Sequence, residues 1–300
     1  NKTPVSVGGR VKGESDTGST LFSCESLGEG SQSLDQTGVT GLILRVLTIS
    51  TAMKKVIIVT GGSRGIGAAT ALLAGQKEYA VCVSYLHNKT AADGVVESIR
   101  QLGGSAIAVA AEMASESDIM RLFETVDHQL GPVTALVNNA GILEQQMRVE
   151  HMDAARLNRT FAVNITGVFL CTREAIKRMS RQTGGAGGAI VNVSSVAARL
   201  GSPGEYVDYA ASKGAIDTMT VGLAKEVAAE GIRINAVRPG FIYTDIHASG
   251  GEPDRVERVK KFIPMKRGGQ ASEVAQAILW LLSDEASYTT GTFIETAGGT

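Results

Sequence analysis

Tyr209 and Lys213 stand four positions apart in the stretch EYVDYAASKGA. On a helix that spacing puts both side chains on one face, about 6 Å apart along the axis. A free phenol has a pKa near 10 and is a poor acid or base at neutral pH. A neighbouring ammonium favours the phenolate and lowers that value, which turns tyrosine into a usable general acid or base. Ser195 closes the apolar run AIVNVSS and could hydrogen-bond the same substrate oxygen. Taken alone, Tyr-x-x-x-Lys usually marks an exposed helix face. After a strand that ends in Ser-Ser, in a chain that also carries the turn described next, it points to proton transfer.

The second chemical signal is VIIVTGGSRGIGAAT, residues 56–70. Gly61, Gly65 and Gly67 fall between a β-branched run and an alanine-rich segment. Glycine admits positive φ and leaves no Cβ to fend off a ligand, and a helix that starts there offers free N–H groups and the positive end of its dipole. A pyrophosphate suits that environment. The spacing, G-x3-G-x-G, differs from the common G-x-G-x-x-G fingerprint and lacks the Gly-Lys-Ser/Thr of a triphosphatase loop. In dinucleotide-binding units an acidic residue after the second strand takes the adenosine ribose of NAD. Here Ser84 and Tyr85 occupy that place, and Arg64 sits inside the turn. A cation with no competing carboxylate favours the 2′-phosphate of NADP over NAD, which stays the alternative cofactor. His87 and Lys89 read as solvated surface residues.

These residues need a scaffold. The chain has 300 residues, 43% of them hydrophobic, with a formal net charge of −1, enough for a large core. Charges are mixed and no long basic run exists, so neither nucleic acid nor an anionic membrane is the expected partner. Cys24, Cys82 and Cys171 are far apart with no CxxC, which fits a reducing, cytoplasmic setting. No apolar run reaches the roughly 18–20 residues of a membrane span, and the scattered His87, His128, His151 and His247 show no metal-ligand spacing. Residues 1–52 are rich in Gly, Ser and Thr without a sustained period, and the first Met is Met53. They are expected to be a flexible or non-native extension ahead of a catalytic domain at 53–300.

From Met53 onward, apolar runs alternate with helical patterns. Strands are expected at 55–60, 80–85, 105–110, 133–138, 188–194, 232–237 and 291–295. Helices are expected near 65–78, 89–102, 116–130, 153–181, 207–230 and 271–284. SESD at 115–118 has the form of a helix cap followed by acids. Strand runs that are apolar throughout suit a parallel sheet covered on both faces, and the alternation gives one doubly wound α/β domain.

From these residues the chain is identified as resembling the classical short-chain dehydrogenase/reductases, especially 3-oxoacyl-carrier-protein reductases and bacterial glucose dehydrogenases. TGGSRGIG resembles the family's cofactor turn, NNAG (138–141) its fourth-strand motif, and RPGFIYT (238–244) its nicotinamide-contacting segment. Asn164, Ser195, Tyr209 and Lys213 match the catalytic four. The resemblance implies a Rossmann-like domain with a seven-stranded parallel sheet and helices on both faces. It implies cofactor contacts from Gly61, Ser63, Arg64, Gly65, Ile66 and Gly67 in the turn, and from Ser84 and Glu112 after the second and third strands. Further contacts would come from Asn138, Ala140 and Gly141, from Tyr209 and Lys213, and from Pro239, Gly240, Ile242 and Thr244. It also implies reversible hydride transfer between NADP and a carbonyl or alcohol substrate, and a homotetramer. The chain departs from the family pattern in a Ser195–Tyr209 gap one residue longer than usual, in Glu112 where an aspartate is common, and in TAGG near the C-terminus. Specificity is expected in 196–206 and in a lid at 241–270. A basic entrance at Lys260, Lys261, Lys266 and Arg267 competes with a plain solvated face. The alternative function from another class is a non-catalytic NADP-binding redox sensor, and a Ser-Lys hydrolase ranks last.

Overall fold

The structure is a computed structural model, and it describes residues 55–300; the expectation for 1–52 falls outside that range. Seven strands form one parallel sheet: β1 Val56–Val59, β2 Ala80–Tyr85, β3 Ser105–Ala110, β4 Ala135–Asn138, β5 Gly188–Val193, β6 Ile232–Pro239 and β7 Phe293–Thr296. The order is β3-β2-β1-β4-β5-β6-β7, with every neighbouring pair parallel. Successive side chains of a strand face opposite sides, so β1 to β6 each feed two cores.

The helices are α1 Gly65–Gln76, α2 Lys89–Gln101, α3 Glu116–Gln129, α4 Ala154–Phe161, α5 Gly167–Met179, α6 Ala197–Leu200, α7 Val207–Val227, α8 Ile246–Ser249, α9 Arg255–Val259 and α10 Ala271–Leu282. Ile57 and Val59 of β1 pack into a core shared with Ala71 of α1, Ile99 of α2 and Ile278 of α10. Val56 and Ile58 point the other way, into a core with Leu122 of α3, Cys171 of α5 and Val227 of α7. Both faces are thereby covered, as the uninterrupted apolar runs demand. Ser115 caps α3 by accepting from the Asp118 N–H at 3.3 Å.

The order in which strands are added to the sheet reverses between β1 and β4: β2 and β3 follow on one side, β5 to β7 on the other. In open α/β sheets the ligand crevice lies outside the carboxyl ends of the strands at that point. The expected strand at 291–295 begins later, because Gly291 adopts φ 74°, outside strand geometry. A larger difference concerns 153–181, expected as one helix. Its path is α4, a π-helical turn at Ala162–Thr166, and α5. One extra residue per turn escapes a 3.6-residue pattern, and such bulges recur at functional sites. Among the described residues no helix is long and apolar enough to cross a membrane.

Candidate active site

The turn after β1 is held from both sides. Ser84 Oγ, at the end of β2, accepts from the Gly61 N–H at 3.1 Å, and the Ser84 carbonyl accepts from the Gly62 N–H at 2.9 Å. From β4, Asn139 Nδ2 donates to the carbonyls of Thr60 at 2.9 Å and Gly61 at 3.1 Å. Thr60 Oγ1 accepts from the N–H groups of Asn139 and Ala140, each at 3.0 Å. Gly61 and Gly65 have φ of 62° and 54°, the left-handed region that favours glycine. A Cβ on Gly67 would lie 2.4 Å from the Gly61 carbonyl oxygen, so Gly67 lets the helix start fold back against the turn. Arg64 is exposed, and no side chain caps α1.

A cleft of about 530 Å³ runs from this turn across the ends of β4, β5 and β6. Its walls include Ser63, Arg64, Ile66, Ser84 and Glu112, with Thr244 beside Gly65 of the turn, and also Ser195, Tyr209, Lys213, Pro239, Gly240 and Ile242. The N-terminus of α1 and its Cβ-free cradle fit a pyrophosphate. Tyr85, Leu86, His87 and Asn88 line it beyond β2 without a carboxylate.

Three expected residues do not face the cleft. Asn138 is 3% exposed, and its Nδ2 donates to Thr172 Oγ1 at 3.0 Å and Asn192 Oδ1 at 2.9 Å. Those two acceptors lie in neighbouring elements, so the Asn138 side chain ties β4 to β5 and α5 and does not line the cleft, while its Oδ1 is buried without a partner. Gly67 serves the turn's own packing. Asn164 is fully buried in the π turn: its Oδ1 accepts from the Ile142 N–H at 2.8 Å, and its Nδ2 donates to the Ile142 carbonyl at 3.0 Å and to Ser212 Oγ at 3.2 Å. The residue missed on the cofactor side was Asn139. NNAG contains two asparagines, and only the strand register separates the buried one from the one that clamps the turn.

At the other end, Lys213 Nζ donates to the Val193 carbonyl at 2.7 Å and lies 5.5 Å from the centre of the Tyr209 ring. The amine was expected to lower the phenol's pKa. Instead burial dominates and pushes Tyr209 up to about 12, with Ser195 acting in the opposite direction. Burial pushes Lys213 down to about 8, partly offset by Asp217. The physical reason is that both groups are desolvated together, and Lys213 spends a donor on a main-chain carbonyl.

The expected specificity segments both line the cleft, through Val196, Leu200 and Tyr206 on one side and Phe241, Ile246, His247 and Arg255 on the other. Tyr206 is buried and its hydroxyl donates to the Gly250 carbonyl at 3.1 Å, fastening the lid. None of the four residues of the expected basic entrance lines the cleft. Lys260 pairs with Glu257, Arg267 with Glu273 at 2.6 Å, and Lys266 donates to the Lys261 carbonyl at 3.0 Å.

This fold, with its turn and its Ser-Tyr-Lys end, defines a class: the chain belongs to the classical short-chain dehydrogenase/reductase family of oxidoreductases. Residues 61–300 match the family model described as enoyl-(acyl carrier protein) reductase. Among individual proteins, the chain is 63% identical over 244 residues to the uncharacterized oxidoreductase YgfF of Escherichia coli, covering 81% of this chain and 99% of that protein. It is 40% identical over 250 residues to a 3-oxoacyl-[acyl-carrier-protein] reductase of Synechocystis, covering 82% and 96%. A mutant of a Serratia marcescens short-chain dehydrogenase/reductase superposes with a TM-score of 0.75 at 30% identity, covering 82% of this chain and 97% of that one.

Proposed function

We propose that the protein is an NADP-dependent reductase of a carbonyl compound, running in reverse on the corresponding secondary alcohol. The observation that carries this reading is that Ser195, Tyr209 and Lys213 open onto the same cleft as the glycine turn. When bound, NADPH would supply the hydride from its nicotinamide. Tyr209 donates the proton to the substrate oxygen as negative charge builds there, and Ser195 orients that oxygen, so that fixed donors meet the charge where it develops. Lys213 supports the phenol and would hold the nicotinamide ribose. Asn164 holds the cleft wall at Ile142, in contact with Ser212 on α7.

Arg64 takes the 2′-phosphate of NADP. It is exposed at the start of α1, and no carboxylate stands among the residues that line the cleft beyond β2. Ile142, Leu143, Val196, Leu200 and Ile246 give the substrate end apolar walls, which favours an acyl-type ketone, such as a 3-oxoacyl thioester, over a polyhydroxylated sugar. A homotetramer is the proposed assembly, supported by Phe169 on α5 and Val207 and Val221 on α7, which are large apolar side chains left exposed.

The test is a panel of ketones, 3-oxoacyl thioesters and sugars assayed with NADPH and with NADH. Turnover of ketones with NADPH is expected, and Arg64→Leu should lower the NADPH-over-NADH preference about tenfold to a hundredfold, as for loss of a charge-assisted hydrogen bond. A wild-type preference for NADH would overturn the assignment of Arg64. Light scattering tests the tetramer.

A further inference from the structure

Arg156 and Asp208 form an ion pair whose side chains are only 6% and 2% exposed. Arg156 Nε donates to Asp208 Oδ2 at 2.7 Å and Nη2 to Oδ1 at 3.4 Å. The remaining arm, Nη1, donates to the Gln145 carbonyl at 2.7 Å and lies 3.9 Å from Met147 Sδ. Asp208 immediately precedes Tyr209 in the first turn of α7, and Gln145 belongs to the loop whose Ile142 and Leu143 wall the cleft. Arg156 is itself fixed at the start of α4, where its N–H donates to the capping Asp153 at 2.7 Å.

The path α4–π turn–α5 therefore meets its two neighbours twice each. Arg156 holds the wall at Gln145, and Asn164 holds it at Ile142. Arg156 holds α7 at Asp208, and Asn164 holds it at Ser212, whose Oγ donates to the Tyr209 carbonyl at 2.7 Å. The two ties flank Tyr209 along the chain. Stability alone is a weak reason for charges here, because a buried ion pair is often replaced by apolar residues without loss. What an apolar pair cannot reproduce is a planar fork that fixes the loop carbonyl and the helix carboxylate at once.

We propose that Arg156 and Asp208 are positioning residues: together they register the first turn of α7, and with it the Tyr209 phenol, against the opposite wall of the cleft. The proposal rests on Tyr209 being the proton donor. A misplacement of about 1 Å at a reacting group costs about a hundredfold in rate, so the tie should be visible in turnover.

The experiment compares wild type, Arg156→Leu/Asp208→Leu, Arg156→Lys and Tyr209→Phe for kcat and KM on a ketone, for NADPH affinity by fluorescence titration, and for melting temperature. The double substitution removes both charges together and leaves no unpaired ion. Its kcat should fall about tenfold to a hundredfold with NADPH affinity and melting retained, and Arg156→Lys should recover part of the loss. A double variant with wild-type kcat overturns the proposal, as does a loss of kcat matched by equal losses of NADPH affinity and folded fraction. Should the double variant not fold, Arg156→Lys alone decides: a lowered kcat at retained NADPH affinity supports the tie, and wild-type kcat overturns it. Failure of the parent reading looks different: Tyr209→Phe would then keep turnover, whatever the Arg156 variants do. A crystal structure of the double variant reads the position directly, and an unmoved Tyr209 relative to Ser195 also overturns the proposal.

Discussion

The ammonium nitrogen of Lys213 lies 5.5 Å from the centre of the Tyr209 ring while it donates to the Val193 carbonyl at 2.7 Å. One side chain thus joins the end of β5 to the phenol on α7. If that phenol is the proton donor, Tyr209→Phe should lower kcat by about 10² to 10⁴, the usual contribution of a positioned acid. NADPH affinity should stay near wild type, because the ring and the cleft keep their shape. Retained turnover in this variant would remove the oxidoreductase chemistry assigned to the Ser195 end of the cleft.

Burial of Lys213 also makes a pH prediction. Its ammonium is pushed down from 10.5 to about 8, so between roughly pH 8 and 10.5 the unfolded chain carries a proton there that the native protein has released. Stability must therefore rise with pH through that window and stay level below about pH 8, where both states hold the proton, the rise amounting to roughly 3 kcal/mol in all at 1.36 kcal/mol per pH unit. Tyr209, pushed up to about 12, acts oppositely and only above about pH 10. Urea unfolding of wild type and Lys213→Met across pH 7 to 10 checks this. Wild type should gain stability relative to Lys213→Met as pH rises through that window, and parallel curves would contradict the buried ammonium.

Glycine positions in this chain are not equivalent. A Cβ on Gly65 would sit 3.2 Å from Thr244 Cγ2 with φ at 54°. Gly65→Ala should cost about 1–2 kcal/mol for the left-handed backbone alone, and it should weaken NADPH binding by crowding the cradle. Gly94, on α2, meets nothing within 4 Å, and Gly94→Ala should stabilise by about 0.5–1 kcal/mol. Melting curves with and without NADPH separate the two effects. Equal behaviour of the two variants would show that the turn tolerates a side chain.

How much of this was legible in the sequence depended on range. Local signals carried well: the apolar runs located all seven strands, Ser115 announced its helix, and the glycine spacing located the turn. What escaped was decided by tertiary contact. Asn138 and Asn139 are adjacent and chemically identical, yet the pleat sends one into the core and the other onto the turn. Arg156 and Asp208 are 52 positions apart, so no window reading could pair them. The π turn at Ala162–Thr166 breaks the helical period at Asn164, and the short helices α6, α8 and α9 fall below the length at which a period is measurable. The expected effect of Lys213 on Tyr209 was also reversed by burial, a quantity that spacing does not contain.

The lid is fastened by charge. Arg255, on α9, reaches Glu205 just ahead of α7, donates to Glu252 at 2.7 Å, and stacks 4.9 Å from the centre of the Tyr206 ring. Gln146, in the loop that follows Ile142 and Leu143 of the cleft wall, donates to the same Glu252 at 2.7 Å. Arg258 and Arg255 hold the Glu252 carboxyl down to about 2, so the clasp stays ionised at neutral pH. Three segments therefore meet at the Arg255–Glu252 pair. Arg255→Met keeps most of the apolar stem and deletes the fork. KM for the carbonyl substrate should rise about tenfold or more, as expected for the loss of charged hydrogen bonds, while NADPH affinity holds because none of the partners of Arg255 belongs to the turn after β1. Glu205→Gln should shift KM in the same direction and by less, since it keeps an acceptor. Steady-state kinetics on both variants decide it: a fall in melting temperature with KM unmoved would mean that the network braces the fold without shaping access to the site.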